Sequence, residues 1–116
     1  MRIFINILLY ICILFSFSIK SEDIPYLLTA SSKGDLESVK AIIESGGNPN
    51  TEDGDSVTAL MYASRKNQVE VARYLISKGA EVNKQEIDGW TALMYASKKN
   101  YSDVVEVLIN NNADLK

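Results

Sequence analysis

The 116-residue chain has no histidine and only one cysteine, Cys12. Ser-His-Asp and Cys-His catalysis, His-ligated zinc and imidazole acid–base chemistry near neutral pH are therefore excluded. One cysteine forms neither an internal disulfide nor a CxxC metal site. The chain also lacks a glycine-rich phosphate loop. We therefore expect no enzyme activity, no cofactor and no metal, and the alternative of a catalytic pair would rest on Asp55 and Asp88, two predicted turn residues.

Acidic residues are absent from the first 21 positions, which are mostly apolar. Arg2 gives a positive start, an apolar run follows, and Ser16 and Ser18 place small residues two apart. This layout is typical of a secretory signal peptide, so we expect residues 1–21 to direct export to the periplasm or outside the cell. An uncleaved membrane anchor at residues 3–19 is the alternative, and a buried core helix is a third interpretation. High Ile, Lys and Asn usage favours a bacterial source.

The charge balance argues against nucleic-acid binding. Only two of the 12 Lys and Arg residues, Arg2 and Lys20, precede Glu22, whereas all 15 Asp and Glu residues lie from Glu22 onward. That part of the chain therefore has a net charge of −5. An overall negative charge repels a phosphate backbone, so we expect no nucleic-acid partner.

The remaining sequence repeats with a period of 33 residues. Thr58–Ser64 and Thr91–Ser97 share the sequence TALMYAS, and 14 of 33 positions are identical between the two complete units. A weaker copy precedes them. A period of this length indicates a stack of supersecondary units. We predict one domain, residues 22–116, with repeats at about 22–50, 51–83 and 84–116.

Each unit is predicted to contain two short helices. Thr58 and Thr91 are candidate N-caps, because a threonine hydroxyl accepts a hydrogen bond from the first helical turn. Glycine and asparagine, which tolerate a left-handed backbone, mark the helix ends. The first helices should stop at Gly34, Asn67 and Asn100, and the second at Gly46, Gly79 and Asn112.

The repeat unit resembles the ankyrin repeat. The segments that carry the resemblance are Gly89–Ser97, with the sequence GWTALMYAS, and Gly79–Asn83, with the sequence GAEVN. The resemblance implies an all-α solenoid of about three helix-turn-helix repeats with short loop or hairpin tips. Alanine replaces the family's usual proline, and Met61 and Met94 replace its usual histidine. Methionine can only pack at that place, so we expect more apolar contacts between repeats.

The resemblance also implies a concave protein-binding surface formed by loop tips and the first helix of each repeat. Its candidate residues are Asp55, Val57, Arg65, Lys66, Ile87, Asp88, Trp90, Lys98 and Lys99. Tryptophan is enriched at interface hot spots, which makes Trp90 a candidate anchor. The ring of Trp90 packing on Val57 is the alternative. The basic residues, which include Lys33, are equally explained as a solvated helix face opposite acidic loop tips.

We therefore expect a non-catalytic protein that binds another protein. The alternative is a membrane-tethered or self-assembling element that stacks through its open repeat ends. The last predicted helix favours this alternative, because it has many apolar residues: Val104, Val105, Val107, Leu108 and Ile109.

Overall fold

The computed structural model describes residues 24–115, where the chain forms six α-helices of seven to nine residues each. The helices are α1 (Tyr26–Lys33), α2 (Leu36–Glu44), α3 (Ala59–Arg65), α4 (Val69–Ser77), α5 (Ala92–Lys98) and α6 (Ser102–Asn110). The predicted all-α class is confirmed. The predicted signal peptide or anchor at residues 1–21 lies outside the described residues. Between positions 24 and 115, every helix is too short or too polar to cross a bilayer.

Threonine begins the first helix of the second and third repeats, as predicted. The Oγ1 atoms of Thr58 and Thr91 each accept a hydrogen bond from the backbone amide three residues later, at 3.3 Å. These bonds satisfy an amide that has no partner within the helix. The threonine side chains thereby fix where α3 and α5 leave the preceding loops.

Glycine and asparagine end the helices with positive φ angles. Gly34, Asn67 and Asn100 have φ of 74°, 59° and 59°, after the first helix of each repeat. The second helices are followed in the same way by Gly46, Gly79 and Asn112, at 98°, 96° and 69°. The left-handed region turns the chain sharply, so each pair of helices folds back on itself. These predictions are confirmed.

The six helices form two rows. The first helices α1, α3 and α5 lie side by side, and the second helices α2, α4 and α6 form the second row behind them. Each repeat buries its apolar face partly against its neighbour, because short helix pairs cannot bury it alone. The equivalent residues Ala30, Ala63 and Ala96 are at most 1% exposed. A small side chain at this position lets the helices approach closely.

Met61 differs from its predicted role. It is buried, as predicted, but its Sδ atom also accepts a hydrogen bond from the backbone amide of Thr58, at 3.5 Å. Met61 therefore does more than pack at this position, and the expectation of packing alone is wrong for it. Sulfur is a weak acceptor, so the bond supplements the threonine cap. Met94, at the same position one repeat later, is only half-buried.

Two asparagine side chains make polar contacts between repeats. Asn50 accepts from the backbone amide of Glu81 at 2.7 Å and donates to the carbonyl of Gly79 at 3.2 Å. Asn83 makes the same pair of contacts one repeat later, with residues 112 and 114. Each asparagine thus joins the end of one repeat to the end of the next.

The outer face of the third repeat is uncovered within the described residues. Ser31 and Ser64 are fully buried, whereas Ser97, at the same position in the third repeat, is exposed. On α6, Ile109 is 43% exposed and Val105 is half-buried. Together with polar neighbours these two residues line a shallow groove of about 520 Å³.

Candidate protein-binding surface

Two matching loops form the tips of the second and third repeats. In each, a backbone amide donates to the carbonyl four residues later: Asp53 to Val57 at 3.0 Å, and Glu86 to Trp90 at 2.9 Å. The turns close through Ser56 and Gly89, which have φ of 65° and 86°. The left-handed backbone at this position reverses the chain within a few residues. The loops are therefore compact hairpin-like tips.

In each loop tip, one carboxylate accepts hydrogen bonds from the backbone amides of its own loop. Asp53 accepts hydrogen bonds from the backbone amides of Asp55 and Val57, at 2.9 and 3.0 Å. Its other oxygen accepts from the hydroxyl of Tyr62 on α3, at 2.6 Å. We call this arrangement the carboxylate–tyrosine contact. It joins a loop to the helix that follows it.

The third repeat contains a second carboxylate–tyrosine contact. Glu86 accepts from the backbone amides of Asp88 and Trp90, at 2.7 and 2.8 Å, and from the hydroxyl of Tyr95 at 3.1 Å. The longer glutamate replaces aspartate without changing the pattern of bonds. Although it lies in a loop, Glu86 is only 8% exposed. Its side chain therefore stabilises the loop and is not part of the exposed surface.

The hydrogen bonds hold both carboxylates ionised. Burial opposes ionisation of Asp53, but bonds from Tyr62 and from two backbone amides outweigh it and lower its pKa. The bond from the Trp90 amide is the largest cause that lowers the pKa of Glu86. Burial, followed by the bond to Asp53, raises the pKa of Tyr62 to about 12. Burial and the bond to Glu86 also raise the pKa of Tyr95.

The loop tips contact each other and expose part of the predicted surface. The backbone amide of Ile87 donates to the carbonyl of Asp55 at 2.9 Å, which joins the two tips. Asp55 and Asp88 are exposed, and the side chain of Ile87 is 70% exposed. Val57 is only 6% exposed and belongs to the apolar core. Including Val57 in the binding surface was therefore wrong, because its side chain faces the interior.

Four basic residues follow the tips at the ends of α3 and α5. Arg65, Lys66, Lys98 and Lys99 are all exposed, and none forms a salt bridge within residues 24–115. The Arg65 guanidinium lies 5.5 Å from the ring centroid of Tyr62 and 5.3 Å from that of Tyr95. Arg65 thus connects the second repeat to the third.

Trp90 is half-buried against aromatic and basic neighbours. Its ring centroid is 5.1 Å from that of Tyr95, with 34° between the ring planes. The ammonium of Lys98 lies 5.2 Å from the Trp90 ring centroid. Both distances are typical of attractive aromatic and cation–π contacts. Trp90 therefore has a fixed place on the surface, with part of its ring still open to a ligand.

These side chains enclose a pocket of about 360 Å³. We name it the basic–aromatic pocket, and its residues are Arg65, Lys66, Trp90, Tyr95, Lys98 and Lys99. The structure brings together five residues of the predicted surface here and adds Tyr95. Asp55, Ile87 and Asp88 lie beside it on the loop tips.

Tyr62 and Tyr95 occupy the same position in successive repeats, and both are half-buried. Their contacts with Asp53, Glu86 and Arg65 were missed. One signal was present: in both complete repeats, a tyrosine follows an acidic residue by nine positions. Its meaning depends on the loop reversing direction, which brings residues nine apart into contact.

The pocket presents positive charge and aromatic rings to a ligand. Between positions 24 and 115, no group of acidic side chains is arranged to hold a metal ion. The two ionised carboxylates of the pocket region have their oxygens occupied by loop amides and tyrosines. What remains open to a ligand is cationic nitrogen and aromatic surface.

The two-row stack and its repeated loop tips define a class of helical repeat protein. A family model described as ankyrin repeats, in three copies, matches residues 27–116. The chain therefore belongs to the ankyrin repeat family. Ankyrin repeats in general mediate protein–protein interaction and are typically non-catalytic. A search of curated proteins finds no match.

Proposed function

We propose that this protein binds another protein through the surface formed by the loop tips and the ends of α3 and α5. The observation that carries the proposal is the basic–aromatic pocket, in which four exposed cations and two aromatic rings converge without a salt bridge inside the described residues. Aromatic and arginine side chains are the commonest interface anchors. The protein acts by surface complementarity, with no reaction performed.

We further propose that binding takes place after export, in the periplasm or outside the cell. The support is the signal-like order of residues 1–21: a positive start, an apolar run and small residues. N-terminal sequencing of the protein from its cells tests this. Cleavage near Ser18 or Ser21 is expected, and an intact Met1 in membrane fractions would instead favour the anchor at residues 3–19.

Site-specific photo-crosslinking in the producing cells tests the binding surface. A photoreactive residue in place of Ile87, which is 70% exposed beside the pocket, should give a discrete adduct with a partner. The matched control replaces Lys40 on α2, an exposed lysine of the second row. Trp90→Ala and Lys98→Ala should reduce recovery of the same partner. Identical adducts from positions 40 and 87, or none from position 87, would argue against the proposed surface.

Self-stacking is the second candidate function. It is favoured by the uncovered face of the third repeat, where Val105 and Ile109 line a groove of about 520 Å³. A second copy of the chain at this groove would cover the outer face of the third repeat, just as the third repeat covers the equivalent face of the second repeat. Sedimentation of the full chain tests it: mass should rise with concentration, and Ile109→Asp should suppress the rise. A mass independent of concentration rules self-stacking out.

A further inference from the structure

We propose that the basic–aromatic pocket binds an acidic peptide segment of the partner protein. A partner carboxylate would lie between Arg65 and Lys98, and a neighbouring apolar side chain would rest on Trp90 and Tyr95. The inference rests on the proposed function and adds the chemistry of the segment that is bound. Four observations support it.

The first observation is unbalanced positive charge. Arg65 and Lys98 occupy equivalent positions in successive repeats, as do Lys66 and Lys99, so the ends of α3 and α5 place four cations side by side. None has a salt-bridge partner in the part of the chain that the structure describes. Like charges gathered in this way repel one another, and an anionic ligand relieves that repulsion.

The second observation concerns the nearby acids. Asp53 and Glu86 each receive three hydrogen bonds from their own loop and helix. Glu52 pairs with Lys84 at 3.6 Å. Arg65 interacts electrostatically with both loop carboxylates but forms no salt bridge with either. Asp53 and Glu86 are therefore already engaged by their own loops. The exposed Asp55 and Asp88 on the loop tips form no salt bridge with the four cations within residues 24–115, which leaves those cations available to a ligand.

The third observation is preorganisation. The Arg65 guanidinium lies over two tyrosine rings, and each of those tyrosines is held by a carboxylate. A planar guanidinium binds a carboxylate with two parallel hydrogen bonds. Holding it in place before binding lowers the entropy lost when a ligand arrives. The side chain is thus prepared for a carboxylate.

The fourth observation favours a short peptide over a long polyanion. The pocket gathers four cations, while the chain from Glu22 onward has a net charge of −5. A nucleic acid would extend past the pocket into this negative field. A few acidic residues followed by an apolar one meet only the local charge and the aromatic rings.

Trp90 makes the test direct, because it is the only tryptophan of the chain. Its fluorescence reports on the pocket when the full-length protein is titrated with a glutamate-rich peptide that lacks tryptophan and tyrosine. We expect a saturable change in emission that weakens as salt is added. The same peptide with glutamine in place of glutamate should give no saturable change.

Charge reversal locates the binding. Arg65→Glu and Lys98→Glu should each weaken the peptide roughly tenfold or more. Lys40→Glu changes the net charge equally on the second row and should bind like the wild type. Circular dichroism confirms that each variant keeps its helices; all three substitutions are at exposed positions.

Three outcomes overturn the inference: no saturable response to the glutamate peptide, equal weakening by Lys40→Glu, or inorganic phosphate giving the same change at the same concentration. The last would mean a general anion site. If the crosslinked partner from position 87 is found but the peptide does not compete with it, the proposed function stands and the acidic-segment inference alone fails.

Discussion

Asp53 and Glu86 show how a single side chain determines the shape of a loop tip. Each accepts two backbone amides of its own turn and one tyrosine hydroxyl from the following helix. The bond to tyrosine crosses from loop to helix, so it positions the tip relative to the basic side chains at the end of that helix. Losing it should loosen the surface as well as lower stability.

Tyr62→Phe tests this contact because it removes one hydroxyl and little volume. We expect the free energy of unfolding to fall by about 1 kcal/mol, the usual worth of a hydrogen bond that is partly open to solvent. The pKa of Asp53 should rise, since one of the bonds that lowers it is lost. Urea unfolding and carboxyl NMR titration measure the two effects. Unchanged values for both would show that the contact is unimportant in solution.

The raised pKa of Tyr62 predicts a loss of folding stability at alkaline pH. Its folded pKa is raised to about 12 from the ordinary 10.0. A group with a raised folded pKa contributes stability that is complete below its unfolded pKa and is lost as the pH rises through the folded value. The free energy of unfolding of the wild type should therefore lose its excess over that of Tyr62→Phe between pH about 10 and about 12. Urea unfolding of both proteins across that range measures it, and a constant difference would contradict the prediction.

Helix boundaries are the part of the fold that the sequence predicts well. Thr58 and Thr91 start helices, and glycine or asparagine ends them, because capping and left-handed turns depend on local chemistry alone. The buried state of Val57 and the tyrosine contacts of Asp53 could not be predicted in the same way. They depend on how tightly the loop reverses, and on which side of it the core lies.

One helix end also carries a contact between repeats. Gly34 follows α1 with φ of 74°, and a Cβ at this position would collide with the side-chain amide of Gln68. That amide donates to the carbonyl of Ser32 at 3.0 Å. The missing side chain of Gly34 thus makes room for a bond between the first and second repeats.

Gly34→Asn should separate this collision from backbone strain, because asparagine occupies the same left-handed position in the other repeats. We expect it to cost about 1 kcal/mol more in the wild type than in a Gln68→Ala background, where no amide is displaced. Thermal unfolding of the four proteins of this double-mutant cycle measures the coupling. Additive losses would show that Gln68 moves aside at no cost.

At the scale of the whole molecule, stability depends on which neighbours a repeat has. Helix α3 packs against both α1 and α5, whereas α5 has α3 on one side and no helix on the other within residues 24–115. Identical residues therefore have different surroundings in the second and third repeats. The apolar core of such a stack runs through all three repeats. Its stability is close to a sum over repeats and their interfaces.

Substitution of Met61 and of Met94 measures that difference, because the two methionines occupy the same position in successive repeats. Met61 is 1% exposed and Met94 is half-buried. Met61→Ala should cost about 3 kcal/mol, a usual value for a fully buried methionine, since it leaves a cavity in the core. Met94→Ala should cost roughly half as much, because solvent already reaches its side chain. Urea unfolding followed by circular dichroism gives both values. Equal losses would mean that the outer face of the third repeat is covered in solution, as self-stacking requires. In that case, the two losses should become unequal when they are measured in an Ile109→Asp background.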